Sequence, residues 1–358
     1  MAKGEGLEEE GVFLEPFIHQ VGGHFPLVSL DDFTLCKPLN LKELQFYLNL
    51  PDSLTPFTPS YKGTMRAFAC EDDQGYISIV GTPPPSLEKS ILKSKPKIRW
   101  QRKGGMRIEI SPESYCNPWA LKIHQDRIKT LDTSSDYYIL LENIVHKHRN
   151  PCVLDLKVGP RQYSDDVSPS KKQRKIAKSK ESTSGALGLR LCGLQSYNPI
   201  SDNYYCLNKY YGRSLTPSSF EKTIEDFFLK SGRIFRLDVC LQVIDKCRKL
   251  IDVLEGLDSF RFYTSSLLVS YEGRLDTKIL SGGKDILTSS SNNSNSSNTP
   301  TGGSTSTGNI VDVRMIDFAH STHKGLKDTV HYEGPDQGFI FGLKNFIDIL
   351  ERISSAYS

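Results

Sequence analysis

Apolar residues come in short β-prone runs along the first part of the chain and recur at helical spacing along the second. Val28-Ser29-Leu30 and Phe33-Thr34-Leu35-Cys36-Lys37 predict a pair of strands, and Tyr137-Tyr138-Ile139-Leu140-Leu141 predicts another. Asn40 is a capping residue type ahead of a short helix through Tyr47. Farther on, Ser218 and Glu221 stand at capping-box spacing and lead Phe220, Ile224, Phe227 and Phe228 onto one face, which predicts helix 218–230. Leu237, Cys240, Leu241, Ile244, Ile251 and Leu254 keep the same rhythm, as do Phe339, Leu343, Phe346, Ile347 and Leu350. Two further β-prone runs, Ser266–Tyr271 and Ile310–Ile316, interrupt the helical half. The pattern is α+β, with a strand-rich amino half and a helix-rich carboxy half.

Two stretches break the rhythm. Residues 82–115 carry Pro83-Pro84-Pro85, scattered lysines and Gly104-Gly105, and read as a long surface insertion. Residues 288–309 are almost wholly Ser, Asn, Thr and Gly, too polar to offset their ordering entropy, so disorder is expected there. This tract separates two strand-like runs and reads as a swollen hairpin tip, since loop closure entropy grows slowly with length. The boundaries that follow are a flexible terminus at 1–11, an amino lobe at 12–142 and a carboxy lobe at 143–358.

Length and charge narrow the picture. At 358 residues one large two-lobed domain or two domains is expected. A formal net charge of +3 provides no global field toward nucleic acid or a membrane surface, and neither partner is expected. The eight cysteines include no CxxC pair and read as reduced packing residues in a reducing compartment. With an acidic start, no apolar leader and no membrane-length apolar run, a cytoplasmic location is expected, with nuclear entry left open.

The chemistry concentrates in three places. In Pro151-Cys152-Val153-Leu154-Asp155-Leu156-Lys157-Val158-Gly159, a strand would aim Asp155 and Lys157 at one face and Leu154, Leu156 and Val158 at the core. Spacing alone allows either a half-buried structural ion pair or a functional one. Residues 168–180 form a basic helix, capped by Ser168 with Pro169 in its first turn. Lys171, Lys175 and Lys178 fall on one of its faces, as a solvated surface or a polyanion site. Asp317 closes an apolar strand in Arg314-Met315-Ile316-Asp317-Phe318-Ala319-His320, as a turn residue or a metal ligand.

PxxxDxKxG is complete at 151–159, and Leu187–Gly193, Pro16–His24 and Ile316–His320 extend the match. On these residues the chain resembles the inositol polyphosphate kinases, and among them the inositol hexakisphosphate kinases. The resemblance implies a two-lobed kinase-like fold with a strand-rich N-lobe, a helix-rich C-lobe and the nucleotide between them. It implies ATP as co-substrate, Mg²⁺ as metal and an inositol polyphosphate as acceptor. Asp155, Lys157 and Asp317 would then be catalytic. Lys37, oriented by Glu43, would meet the ATP phosphates; Glu142, Asn143 and Ile144 would form the adenine hinge; Asp155, Ser266 and Asp317 would also contact the nucleotide. Lys157, Lys171, Lys175, Lys178 and Lys209 would hold the inositol phosphate, and Asp317 and His320 would line the metal. A monomer is expected. A multikinase acting on ring hydroxyls, and a sensor that binds without catalysis, remain as alternatives.

Overall fold

The computed structural model describes residues 11–88, 98–101, 107–110, 115–130, 136–230, 232–274, 311–326 and 330–358. The tract at 288–309 and residues 1–10 of the expected flexible terminus lie outside the described residues. Among the described residues, no helix is long and apolar enough to cross a membrane.

The amino-terminal sheet has eight strands: β1 Val12–Pro16, β2 Val28–Asp31, β3 Thr34–Pro38, β4 Tyr61–Glu71, β5 Tyr76–Thr82, β6 Ile98–Gln101, β7 Arg107–Ile110 and β8 Asp136–Glu142. Its order is β1-β2-β3-β8-β4-β5-β6-β7, and β1 also pairs with β5, so the first six strands of that order close on themselves. Every pairing is antiparallel. Alternate residues such as Leu14, Val28, Cys36, Met65, Ile79 and Leu140 fill the interior. The 82–115 stretch is therefore not purely an insertion, because β6 and β7 continue this sheet from the edge of β5.

The second sheet has the order β11-β10-β9-β12-β13, with β9 Pro151–Val158, β10 Leu189–Asn198, β11 Asn203–Asn208, β12 Ser266–Glu272 and β13 Val311–Ile316. Its central strand β9 shows the predicted alternation. Cys152, Leu154, Leu156 and Val158 pack into the large core, while Val153 joins a small separate cluster on the other side. Helices Pro217–Phe228, Leu237–Glu255 and Gln337–Ser355 supply the rest of that core.

Three local expectations shift. Helix Pro217–Phe228 is capped by a reciprocal Thr216–Ser219 box, not by Ser218 and Glu221. Pro217 suits the first helical position, where no N–H is needed, so the start moves toward the amino terminus. Ser168 stands at the N-cap of helix Pro169–Lys180, but its side chain accepts no bond from the helix backbone. Leu241 is 51% exposed, so it lies off the buried stripe that its neighbours form.

Candidate active site

A cavity of ≈ 1060 Å³ lies between the two sheets, at the upper end of the size usual for small-ligand sites. Lys37 reaches it from β3. Its ammonium donates to Glu43 Oε1 and Asp317 Oδ1, both at 2.8 Å. Glu43 is fixed by the short helix Leu41–Leu48, whose first turn is capped by the Asn40 side chain. The same Oε1 accepts the Phe318 N–H at 3.0 Å, and Phe46 stacks on Phe318 with ring centroids 4.3 Å apart. One turn of helix thus ties the first lobe to the Asp317 loop.

Asp317 follows β13 and has a φ of +67°, a backbone region that non-glycine residues rarely occupy. Burial raises its proton affinity, but the Lys37 and Lys157 ammonium groups prevail and hold the carboxyl well below the usual range. On β9, Lys157 donates to the Thr264 carbonyl, lies 3.4 Å from Ser266 Oγ, and stands 4.0 Å from Asp317 Oδ2. Thr264 is also left-handed, at +62°. Two strained positions therefore flank one ammonium group, a pattern typical of functional sites.

Asp155 is 4% exposed. Burial pushes its carboxyl up to about 6, with Lys157 opposing the rise and Asp317 adding to it. Its Oδ1 is buried with no hydrogen-bond partner. Two carboxylates that sense each other's charge, one with an unsatisfied oxygen, fit a hard divalent cation such as Mg²⁺, which takes one or two carboxylates and completes its shell with phosphates and water. Among the described residues no three of His, Cys, Asp and Glu converge as a metal cage. His320 lines the same cavity as Asp317: its Nδ1 lies 3.4 Å from Ser164 Oγ, and the charges around it are those of Lys175, Asp166, Lys42 and Lys157. It belongs to the basic side of the cavity.

Lys175 and Lys178 line the cavity; Lys171 does not, and it is exposed one turn earlier on the same helix. Ser179 Oγ anchors that helix to the Pro160 carbonyl at 2.6 Å, which sets the face turned inward. Ser266 also departs from expectation. It is fully buried, off the cavity wall, and its hydroxyl faces the Lys157 ammonium instead of a nucleotide. Glu142, Asn143 and Ile144 form the opposite wall. The Glu142 and Asn143 N–H groups already donate to the Ser60 and Phe33 carbonyls, so neither is available to a ligand in the cavity.

A second cavity of ≈ 60 Å³ adjoins Asp155, Lys157 and Asp317. Lys209 lines it, with its ammonium 4.8 Å from the centre of the Trp119 ring. Arg190, Arg213 and His24 line it too, and sequence reasoning assigned none of them a role. Arg213 was within reach, because it is one helical turn after Lys209 on helix Lys209–Ser214. Arg190 depended on the pairing of β10 with β9, which sets it opposite Lys157.

A family model described as inositol polyphosphate kinase matches residues 138–351. The chain is 36% identical to inositol hexakisphosphate kinase 1 of Homo sapiens, with 96% of this chain and 94% of that protein covered. It is 34% identical to inositol hexakisphosphate kinase 3 of Homo sapiens, with 96% of each covered. Among solved structures, inositol phosphate multikinase Ipk2 from S. cerevisiae in complex with ADP and Mn²⁺ matches with a TM-score of 0.54 at 21% identity. That match covers 89% of this chain and 98% of the other, and it shows a shared fold.

Proposed function

Because the chain belongs to the inositol polyphosphate kinase family, we propose that it transfers the γ-phosphoryl group of ATP to a phosphate of inositol hexakisphosphate, giving a diphosphoinositol phosphate. One observation carries this reading: Lys157, Lys175, Lys178 and Lys209, from one strand and two helices, converge with Asp317 on two adjoining cavities. Such a ring of point charges suits a densely phosphorylated acceptor. Burial and crowding by Lys171 and Lys157 depress the Lys175 ammonium's proton affinity, a repulsion that a polyanion would relieve.

In this reading Lys37 draws charge from the nucleotide phosphates, and Glu142, Asn143 and Ile144 border the adenine. Asp317 and Asp155 would hold Mg²⁺, which when bound neutralises the nucleotide's terminal phosphates. Lys157 and Lys209 fix the acceptor phosphate. Its oxygen is already ionised, so positioning and charge neutralisation dominate and no base is required. The eight cysteines are free, which suits residence in the reducing cytoplasm.

Phosphorylation of ring hydroxyls is the second reading, and Asp155 favours it. A carboxyl near pH 6 is matched to taking a proton from a hydroxyl at neutral pH. Purified protein incubated with ATP and either inositol hexakisphosphate or a ring with free hydroxyls, with products separated by charge, decides between them. A product more charged than inositol hexakisphosphate supports the first reading. ATP consumption only with the hydroxyl-bearing ring refutes it, and no consumption with either points to a binding protein.

A further inference from the structure

The chain has no GxGxxG loop to cover nucleotide phosphates, yet the cleft has a roof. The connection between β1 and β2 crosses it, and the Gln20 side chain holds this loop in shape. Gln20 Nε2 donates to the Gly22 and Phe25 carbonyls at 2.9 and 2.8 Å, and Gln20 Oε1 accepts the Leu27 N–H at 2.9 Å. The base of the loop is closed by Phe17 N–H to the Leu27 carbonyl at 2.9 Å. The roof touches the floor. A Cβ at Gly22 would lie 2.2 Å from Asp155 Oδ2, and one at Gly193 on β10 would lie 1.9 Å from the Val21 carbonyl oxygen. Gly23, at φ +87°, then turns the chain so that His24 enters the cleft.

His24 lines both cavities. The smaller, at ≈ 60 Å³, is several times the ~10–15 Å³ a cavity needs to hold one water, room for one phosphoryl-sized group. Its walls carry the Lys157, Arg190, Lys209 and Arg213 cations together with the Asp155 and Asp317 carboxylates. It is therefore where the nucleotide side and the acceptor side of the cleft meet. We propose that the Gln20–Phe25 loop does the work of a glycine-rich phosphate loop, and that His24 is a catalytic residue whose ring N–H donates a hydrogen bond to the phosphoryl group in transfer.

In this step an acceptor phosphate oxygen forms a bond to the γ-phosphorus, the bond from that phosphorus to the β,γ-bridging oxygen breaks, and ADP leaves with the electron pair. His24 keeps its proton. Partial desolvation at the cleft wall, with Lys209 and Lys157 adding to it and Asp317 opposing, lowers the imidazole's proton affinity, while much of the residue stays open to solvent. A neutral ring still offers one N–H donor. Charge develops on the equatorial oxygens in transfer, so the bond is stronger there than in the ground state and should appear in kcat more than in KM.

This inference rests on the proposed kinase activity, so the unmutated full chain is assayed first with ATP and inositol hexakisphosphate. An inactive parent overturns that function, and this inference with it. With an active parent, His24→Ala should lower kcat about 10²-fold and leave KM for both substrates within about threefold. His24→Asn and His24→Gln place an amide N–H near the Nδ1 and Nε2 positions respectively, and one of them should recover about tenfold. His24 is exposed, so its variants should unfold at the parent's temperature. Unchanged kcat in His24→Ala, a loss confined to KM, or equal loss in all three variants overturns the role of His24 while leaving the kinase reading intact.

Discussion

Asp155 should weaken the protein it serves. Its carboxyl titrates at about 6 instead of 3.8, chiefly because burial disfavours the charged form. That rise corresponds to about 3 kcal/mol at ~1.36 kcal/mol per pH unit. A group whose folded pKa exceeds its unfolded value favours folding when protonated. The benefit is fully present below about pH 4 and is lost as pH rises through 6, so at pH 7.5 the ionised carboxylate imposes the whole penalty. Asp155→Asn keeps the shape and removes the charge. With unfolding entropy of ~2.1 cal/mol/K per residue, a chain of this length loses about 0.75 kcal/mol per kelvin near Tm, so about 3 kcal/mol is about 4 °C. Thermal unfolding of both proteins at pH 7.5 and pH 4.5 should show the variant about 4 °C more stable at the higher pH and the gap closing at the lower. Turnover should fall at least tenfold, the exchange of stability for activity expected of a strained site. A variant that is less stable at pH 7.5, or a gap that does not change with pH, would refute the view that burial of this carboxylate is an unbalanced cost in the unliganded protein.

Other substitutions separate the roles of the charged groups. Lys157→Ala and Asp317→Asn should each reduce kcat at least about 10³-fold while the far-UV circular dichroism spectrum stays that of the parent, and normal turnover in either would overturn the assignment. Lys178→Ala should raise KM for the inositol phosphate about tenfold, the size of one charge-assisted contact, whereas Lys171→Ala should change it less than threefold. Steady-state kinetics with saturating ATP measures both, and equal effects would contradict the orientation of helix Pro169–Lys180.

Legibility in the sequence followed the range of the contacts involved. The alternation of Leu154, Asp155, Leu156 and Lys157 was readable because a strand's period depends on adjacent residues alone, and the structure keeps it. The helical stripe through Phe339, Phe346 and Leu350 was readable for the same reason, and all three are buried. Lys171 and Lys178 could not be separated, because which face of a basic helix turns inward is set by Ser179 meeting Pro160, 19 residues away. His24 stands in the sequence only as the last residue of the Pro16–His24 motif. Its position depends on Gly22 packing against Asp155, more than a hundred residues later. Ser266 was placed beside the nucleotide, but its cross-strand register opposite Lys157 turns its hydroxyl into a support for that lysine. The β6–β7 strands escaped notice because a proline run and paired glycines surround short segments with little apolar rhythm.

A count of donors explains how Lys37 and Lys157 can be both structural and reactive. An ammonium group has three N–H donors. Lys37 commits one to Glu43 and one to Asp317; Lys157 commits one to the Thr264 carbonyl and directs another at Ser266. Each therefore retains one donor for a phosphate oxygen. The committed bonds fix where that remaining donor points before any ligand arrives, so little orientational freedom is left to lose on binding. Arginine at either position would bring a planar fork of five donors into a space shaped for a single nitrogen, and at position 37 it would displace the ammonium bridge between Glu43 and Asp317 across the lobes. The site thus needs lysine for its compactness as much as for its charge, and the two carboxylates beside Lys37 keep that charge in place by holding its proton affinity above the ordinary value against the pull of burial.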